Sequence, residues 1–486
     1  MAKQEWKSGG GRGDRDGGLM TDLCEQPAYQ LVGAMQAGDL SSREVVQAHL
    51  DRIARVNPSL NALVEASDPE VCLTEAAEAD AATAAGRSLG ALHGLPVVFK
   101  DVVHVKGLMA SGGSPALRAV ATEDATVVAR MRAEGAIVLG LTNVPEMGRG
   151  GESNNDVYGR TNNPYDLSRS PGGSSGGSGA LIAAGGAPMS IGSDGGGSVR
   201  QPCHNNGIAG IKPTHGRIPR TGSTYGDALG MFSPHVCYGP LARTVADVAL
   251  ALEVVAGPDG RDPLAAPVPL DRPDQVDLAT LRVAFYLQDG ISVADAATVA
   301  TVTAAARALE GTVASVVEDA PAGLDRVMEL LWETVFLGGD RGVGFEQDLS
   351  DLGAPAPSEE MAEFLRQASL VELSVTEVRR RLVEIDTYRM DMLGFMDAYD
   401  VVLTPAMPAA AKPHHHGLNE IRDFSYLMAH NLTGWPAAVV RCGTSAEGLP
   451  LGVQIAARPW EDATALAVAA HLEASLGGWH PPPPVA

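Results

Sequence analysis

Between residues 150 and 240 the chain is crowded with Gly, Ser and Asn, yet apolar runs such as ALIAA and MSIGS interrupt it. That combination constrains the fold more than any other feature. A flexible linker buries nothing and has no use for apolar runs. Anchored on buried elements, a glycine-rich segment instead forms fixed loops, and loops held by a scaffold are where function concentrates. The segment is therefore expected to be structured and loop-rich.

It contains two glycine nests. SPGGSSGGSGALIAA (170–184) carries Ser174 and Ser175, and SIGSDGGGSVRQP (190–202) runs through Gly195, Gly196 and Gly197 into Ser198. Consecutive glycines let backbone N–H groups converge on one point, which is what a developing oxyanion requires. A serine placed after such a run has its hydroxyl beside those donors, but serine is a weak nucleophile without a base.

The flanking sequence has an α/β pattern. Ser41-Ser42-Arg43-Glu44 is a capping box opening a helix through Val45, Val46, Leu50, Ile53 and Val56, closed by Pro58. GLPVVFKDVV (94–103) reads as a short strand, Asp124 as the start of a helix ended by Gly135, and AIVLGLTNV (136–144) as a buried strand. The alternation repeats at 180–192 and, with Thr244 as N-cap, at 244–256. Residues 276–400 read as mostly helical around a strand at 281–287. A strand pair at 400–408 and 436–443 follows and leads to a strand at 451–457, then a helix at 461–476.

Three other motifs compete for the chemistry. GGSSG (172–176) matches a nucleophile elbow, but the polar stretch NNPYDLSRSP precedes it where a strand is required. A phosphate-binding loop would end in Gly-Lys, which is missing here. His414, His415 and His416 lie between Pro413 and Gly417 in a loop with no evident partner ligand, so no metal is expected.

With 36 basic against 59 acidic residues and a net charge of −23, the chain repels polyphosphate, which argues against nucleic-acid binding. Five scattered cysteines suit a reducing cytoplasm, and no apolar run approaches membrane-spanning length. Residues 1–19 are expected to be a disordered tail or an expression remnant, 20–478 a single domain, and 479–486 a proline-rich tail.

GGSSGGSGALIA, then GSDGGGSVR, then GIKPTHGR closely resemble the signature of the amidase signature family. GLPVVFKD resembles the family segment that carries its catalytic lysine, here Lys100. DVVLTPAMP, NLTGWPA and GLPLGVQIAA resemble its C-terminal elements. The resemblance implies a compact α/β domain with a large mixed, twisted β-sheet flanked by α-helices. It also implies a Ser–Ser–Lys triad: Ser198 as nucleophile, Ser174 as a bridge after a cis peptide at Gly173–Ser174, and Lys100 as base. Gly195, Gly196 and Gly197 would form the oxyanion hole, with Ser175, Asp194 and Arg200 in support. Gly196, His204-Asn205-Asn206 and Arg441 depart from the usual pattern without removing a catalytic group.

The implied reaction is hydrolysis of amides, anilides, or related carbamates and esters through an acyl-enzyme. It needs no cofactor, and its partner is a small-molecule amide or carbamate. A homodimer is compatible with this reading. The alternative is the amidase subunit of a tRNA-dependent amidotransferase, which VRQP (199–202) and the chain length fit. NVPEMGRGGESNN (143–155) lacks the acidic-Phe run usual in that protein.

Overall fold

Alternating apolar residues along the strand Pro96–Lys100 divide between two cores, which places the sheet in the middle of the molecule. Val97 and Phe99 pack into the core that also holds the helices Val245–Val255 and Asp462–Leu476. Val98 packs on the other side, with Ala180 and Leu181 of the helix Gly176–Ala183. This is the two-residue period of a strand covered on both faces. The computed structural model describes residues 22–354, 356–415 and 417–484. The expected tail at 1–19 lies outside the described residues.

One mixed sheet of eleven strands organises the chain. In chain order they are β1 (Leu63–Ala66), β2 (Pro96–Lys100), β3 (Ile137–Thr142), β4 (Met189–Asp194), β5 (Ala209–Lys212), β6 (Cys237–Ala242), β7 (Arg282–Phe285), β8 (Ser315–Glu318), β9 (Val401–Pro405), β10 (Ala437–Thr444) and β11 (Pro450–Ala457). Their spatial order is β1-β3-β2-β4-β6-β5-β10-β11-β9-β7-β8. The trio β3-β2-β4 and the trio β9-β7-β8 are parallel, and the remaining neighbours are antiparallel. Both β2 and β3 are buried along their whole length, which is why they are apolar up to their last residues, Lys100 and Thr142.

Local signals survive where they are self-contained. Ser41 and Glu44 close a capping box at the start of Ser42–Leu60. That helix continues past Pro58 to Leu60 and is capped by Asn61, which takes the left-handed conformation at φ 50°. A proline forfeits one N–H but has a helical φ, so the last turn absorbs it. The helix expected from Asp124 starts at Thr126 without a side-chain cap. Asp124 instead accepts from the Lys106 N–H at 2.8 Å and pairs with Arg132.

Tertiary pairing changes two readings. The stretch 276–400 also contains β8, which pairs in parallel with β7 at the sheet edge. Strand β9 pairs with β11 and β7 and not with β10, because β11 lies between β9 and β10.

Candidate active site

Lys100 ends β2, and the pleat puts its side chain on the same side as Val98, facing the helix Gly176–Ala183 and the serine loop before it. The side chain is fully buried. Its Nζ donates to Ser174 Oγ at 2.6 Å and to Ser193 Oγ at 2.9 Å. Burial disfavours the charged form and brings the pKa down to about 7, opposed only in part by the charge of Asp194.

The Gly173–Ser174 peptide is cis, as the resemblance implied. The loop around it is tied down on several sides. The Gly173 N–H donates to Gln201 Oε1 at 2.8 Å, and the Gly176 N–H to Ser153 Oγ at 3.0 Å. The Ser175 N–H donates to the Ser198 carbonyl at 3.1 Å, so the two glycine nests are joined through their backbones. The Ser175 hydroxyl reaches the Ser193 carbonyl at 3.4 Å. It packs where Gly192 has no side chain: a Cβ there would come within 2.6 Å of Ser175 Oγ.

Ser174 and Ser198 line the same cavity, of about 780 Å³. Among the described residues no hydrogen bond joins their hydroxyls. Lys100 and Ser174 are thus in direct contact, and Ser198 is held next to them by the backbone link through Ser175.

Asp194 and Arg200 are fully buried and form an ion pair at 2.8 Å. Burial opposes the charge of Asp194, but Arg200, then Asn431, hold its carboxyl well below the usual range. Asp194 Oδ1 also accepts the Gly197 N–H at 2.8 Å, and Oδ2 accepts the Val199 N–H at 3.1 Å. The Gly197 N–H is therefore committed to Asp194, unlike the free donor expected of it. Gly195 and Gly196, which face the cavity, carry N–H groups without an acceptor among the described residues. Arg200 extends the network to the Leu427 carbonyl at 2.8 Å and to Gln454 Oε1 at 2.6 Å.

A family model described as Amidase matches residues 44–466.

The chain belongs to the amidase family.

Within that family it is 36% identical to an acylamidase of Rhodococcus erythropolis, covering 92% of this chain and 94% of that one. It is 35% identical to a glutamyl-tRNA(Gln) amidotransferase subunit of Salinispora arenicola, covering 95% of this chain and 100% of that one. Among solved structures, a bacterial aryl acylamidase of the amidase signature family superimposes with a TM-score of 0.81 at 26% identity, covering 93% of this chain and 96% of that one. As an amidase signature enzyme, the chain is a hydrolase of C–N amide bonds.

Two residues of this amidase site escape sequence reasoning. Ser193 looks like an ordinary strand residue. The available signal is register: β2 and β4 are parallel neighbours with Phe99 opposite Ile191, which brings the end of β4 beside Lys100. Asn431, which donates to Asp194 Oδ1 at 2.9 Å, comes from 237 residues away; it opens NLTGWPA, where the resemblance gave no hint of this contact.

The histidine run takes a structural place. His414 contacts the Glu152 carboxylate through Nδ1 and lies 3.2 Å from the Leu167 carbonyl through Nε2, while the His415 N–H donates to Glu152 at 2.8 Å. His416 lies outside the described residues. All five cysteines are buried and free. Among the described residues no helix is long and apolar enough to cross a membrane.

Proposed function

We propose that the enzyme hydrolyses small-molecule amides through Ser198, with Ser174 relaying its proton to Lys100. The observation that carries this reading is the buried Lys100 nitrogen 2.6 Å from Ser174 Oγ, at a cavity that Ser198 also lines. A lysine with a pKa brought to about 7 is partly neutral at physiological pH and can accept a proton.

In the first half-reaction neutral Lys100 takes the Ser174 proton while Ser174 takes that of Ser198. Ser198 Oγ bonds to the substrate carbonyl carbon, and the resulting oxyanion accepts from the free N–H groups of Gly195 and Gly196. Collapse breaks the C–N bond. The proton returns through Ser174 to the leaving amine, and Ser198 is left as an ester. Water then adds to that ester by the same relay and releases the acid. The Ser198 hydroxyl aligns with Ser174 when substrate fills the cavity, since such contacts tighten in the reacting complex. Asp194 and Arg200 position the glycine turn, and Ser175 ties the two loops together.

The similarity to an acylamidase supports amides and anilides as substrates, with carbamates and esters as chemically related candidates. The residues 20–478 would act as one amidase signature domain in the cytoplasm, where buried free thiols persist. A hydrolysis screen of the purified chain over aryl amides, fatty amides, small aliphatic amides and carbamates tests the reading. Cleavage of none of them sinks it.

A second reading, the catalytic subunit of a tRNA-dependent amidotransferase, is favoured by the 35% identity to the Salinispora arenicola protein. Under it, the isolated chain would leave simple amides intact and need partner subunits for activity.

A further inference from the structure

On the wall of the site cavity, Arg149 carries a guanidinium that has no hydrogen-bond or ion-pair partner among the described residues. Arg149 follows Gly148, where an added Cβ would come within 3.6 Å of Ser174 Oγ, and the Arg149 side chain lines the same cavity as Ser198. Its guanidinium carbon lies 4.4 Å from the centre of the Phe345 ring, 4.8 Å from Phe364 and 6.0 Å from Phe232. Rings over a guanidinium stabilise the cation through its flat faces. They leave its five in-plane N–H donors uncommitted. Among the described residues nothing accepts from those donors; only the backbone N–H of Arg149 is used, toward the Glu146 carbonyl at 3.0 Å.

The shortage is not one of acids, since the chain has 59 of them against 36 basic residues. Among the described residues none of the acids near the cavity forms an ion pair with Arg149. Asp340 accepts the N–H groups of Gly342 and Gly344 at 3.0 and 2.9 Å. Asp348 is exposed at the rim, and its charge acts on Arg149 without forming an ion pair. Glu360 packs against Gly150, and burial, then the charge of Glu152, raises its pKa well above the carboxylate range. Burial lowers the pKa of Arg149 to about 10, opposed by Tyr225 and Asp348, so the guanidinium is charged at neutral pH.

The cation also sits at a useful distance from the chemistry. Phe232 spans the gap: its ring tip lies against Gly195, where a Cβ would come within 2.5 Å of Phe232 Cζ. Phe232 is thus near both, its ring centre 6.0 Å from the guanidinium carbon and its tip against the proposed oxyanion turn. A planar fork of N–H donors is complementary to a carboxylate.

We infer that Arg149 binds a carboxylate of the substrate, so that the preferred substrates are amides bearing a free carboxylate a short spacer from the scissile bond. This rests on the amide-hydrolase reading above and assigns its substrate class. Arg149 acts as a specificity-determining residue: it holds the far arm of the substrate and takes no part in the proton relay.

The test compares matched acid and neutral anilides on both arms. Glutaryl 4-nitroanilide is set against hexanoyl 4-nitroanilide, and 4-acetamidobenzoate against 4-methylacetanilide. For at least one pair, kcat/KM is expected to be tenfold or more higher for the acid, with most of the difference in KM. Arg149→Met should reduce that acid-over-neutral ratio at least tenfold, and Arg149→Lys should restore part of it. A ratio at or below one for both pairs in the wild type overturns the inference. So does an acid preference that survives Arg149→Met. The wild-type comparison stands even where a variant fails to fold. Cleavage of the neutral anilides without acid preference leaves amide hydrolysis intact and removes only the carboxylate. Failure to cleave any anilide together with failure of a fluorophosphonate to label Ser198 removes the amide-hydrolase reading itself. Where Ser198 is labelled but no anilide is cleaved, the acids should protect Ser198 from labelling at tenfold lower concentration than their neutral partners, and equal protection overturns the inference.

Discussion

The Lys100 nitrogen and the Ser174 hydroxyl are 2.6 Å apart, and neither side chain is more than 2% exposed. A lysine paired with a neutral hydroxyl in that setting has no counter-charge in contact. Its ionisation therefore responds to burial.

The pH dependence follows from this. Unperturbed lysine titrates near ~10.4, and burial brings Lys100 to about 7. Only the neutral amine accepts a proton, so kcat/KM should rise through about pH 7 and level off above it. The same shift has a sign for stability. The unfolded chain holds the lysine proton up to ~10.4, so the contribution of Lys100 should favour folding increasingly as pH rises from neutrality toward that value. Lys100→Arg should be inactive at every pH, because arginine stays protonated, and Lys100→Met should be inactive without adding a charge. Near-normal turnover by either variant, with an unchanged circular dichroism spectrum, would remove Lys100 from the mechanism.

The two serines should separate in a labelling experiment. Ser198→Ala is expected to abolish turnover and fluorophosphonate incorporation. Ser174→Ala should keep a folded site and lose about 10²–10⁴-fold in kcat, the range of a lost acid–base contribution. Peptide mass mapping that finds the adduct on Ser174 would reverse the two roles.

Replacing Arg200 by Met should strand the Asp194 carboxylate in a fully buried site. Removing one partner of a buried ion pair costs about 3–5 kcal/mol. Urea unfolding should show a loss of that size. The carboxyl is held well below its ordinary pKa, by Arg200 first among the favourable interactions. In the wild type this stabilisation is present above the unfolded carboxylate value and fades only at strongly acidic pH. A variant within experimental error of the wild-type midpoint contradicts the assignment.

Neighbouring glycines should respond differently to the same substitution. At Gly197, φ is +124° and a Cβ would come within 2.5 Å of Leu427 Cδ1, so Gly197→Ala should distort the turn before Ser198 and cut kcat severely. At Gly196, φ is unexceptional and the nearest atom is Phe336 Cζ at 3.1 Å, the end of a side chain at the cavity wall. Gly196→Ala keeps its backbone N–H and should retain most of the activity. Steady-state kinetics on a cleaved anilide distinguishes the pair, and equal loss at both positions would contradict the picture.

Much of this was legible in sequence because its causes are local. The capping box at Ser41 and Glu44 involves residues three apart, and β2 and β3 read as apolar runs because both of their faces are covered. The glycine runs before Ser174 and Ser198 were visible because tight turns demand a small residue. Strand β8 was less visible: it is four residues long at an exposed sheet edge, and its place depends on pairing with β7.

By itself the sequence determined the glycine turns, several of the helices and the most apolar strands, and which residue types stand ready for chemistry. The tertiary structure decided what those residues do to one another. The pKa of Lys100 depends on burial, and its two hydroxyl partners lie 74 and 93 positions along the chain. The Gly197 donor is withdrawn by the side chain of Asp194. The guanidinium of Arg149 is boxed by Phe232, Phe345 and Phe364, none of them near it in sequence. Desolvation and hydrogen-bond commitment are properties of a packed environment, so a one-dimensional pattern carries no record of them until the chain has closed around the site.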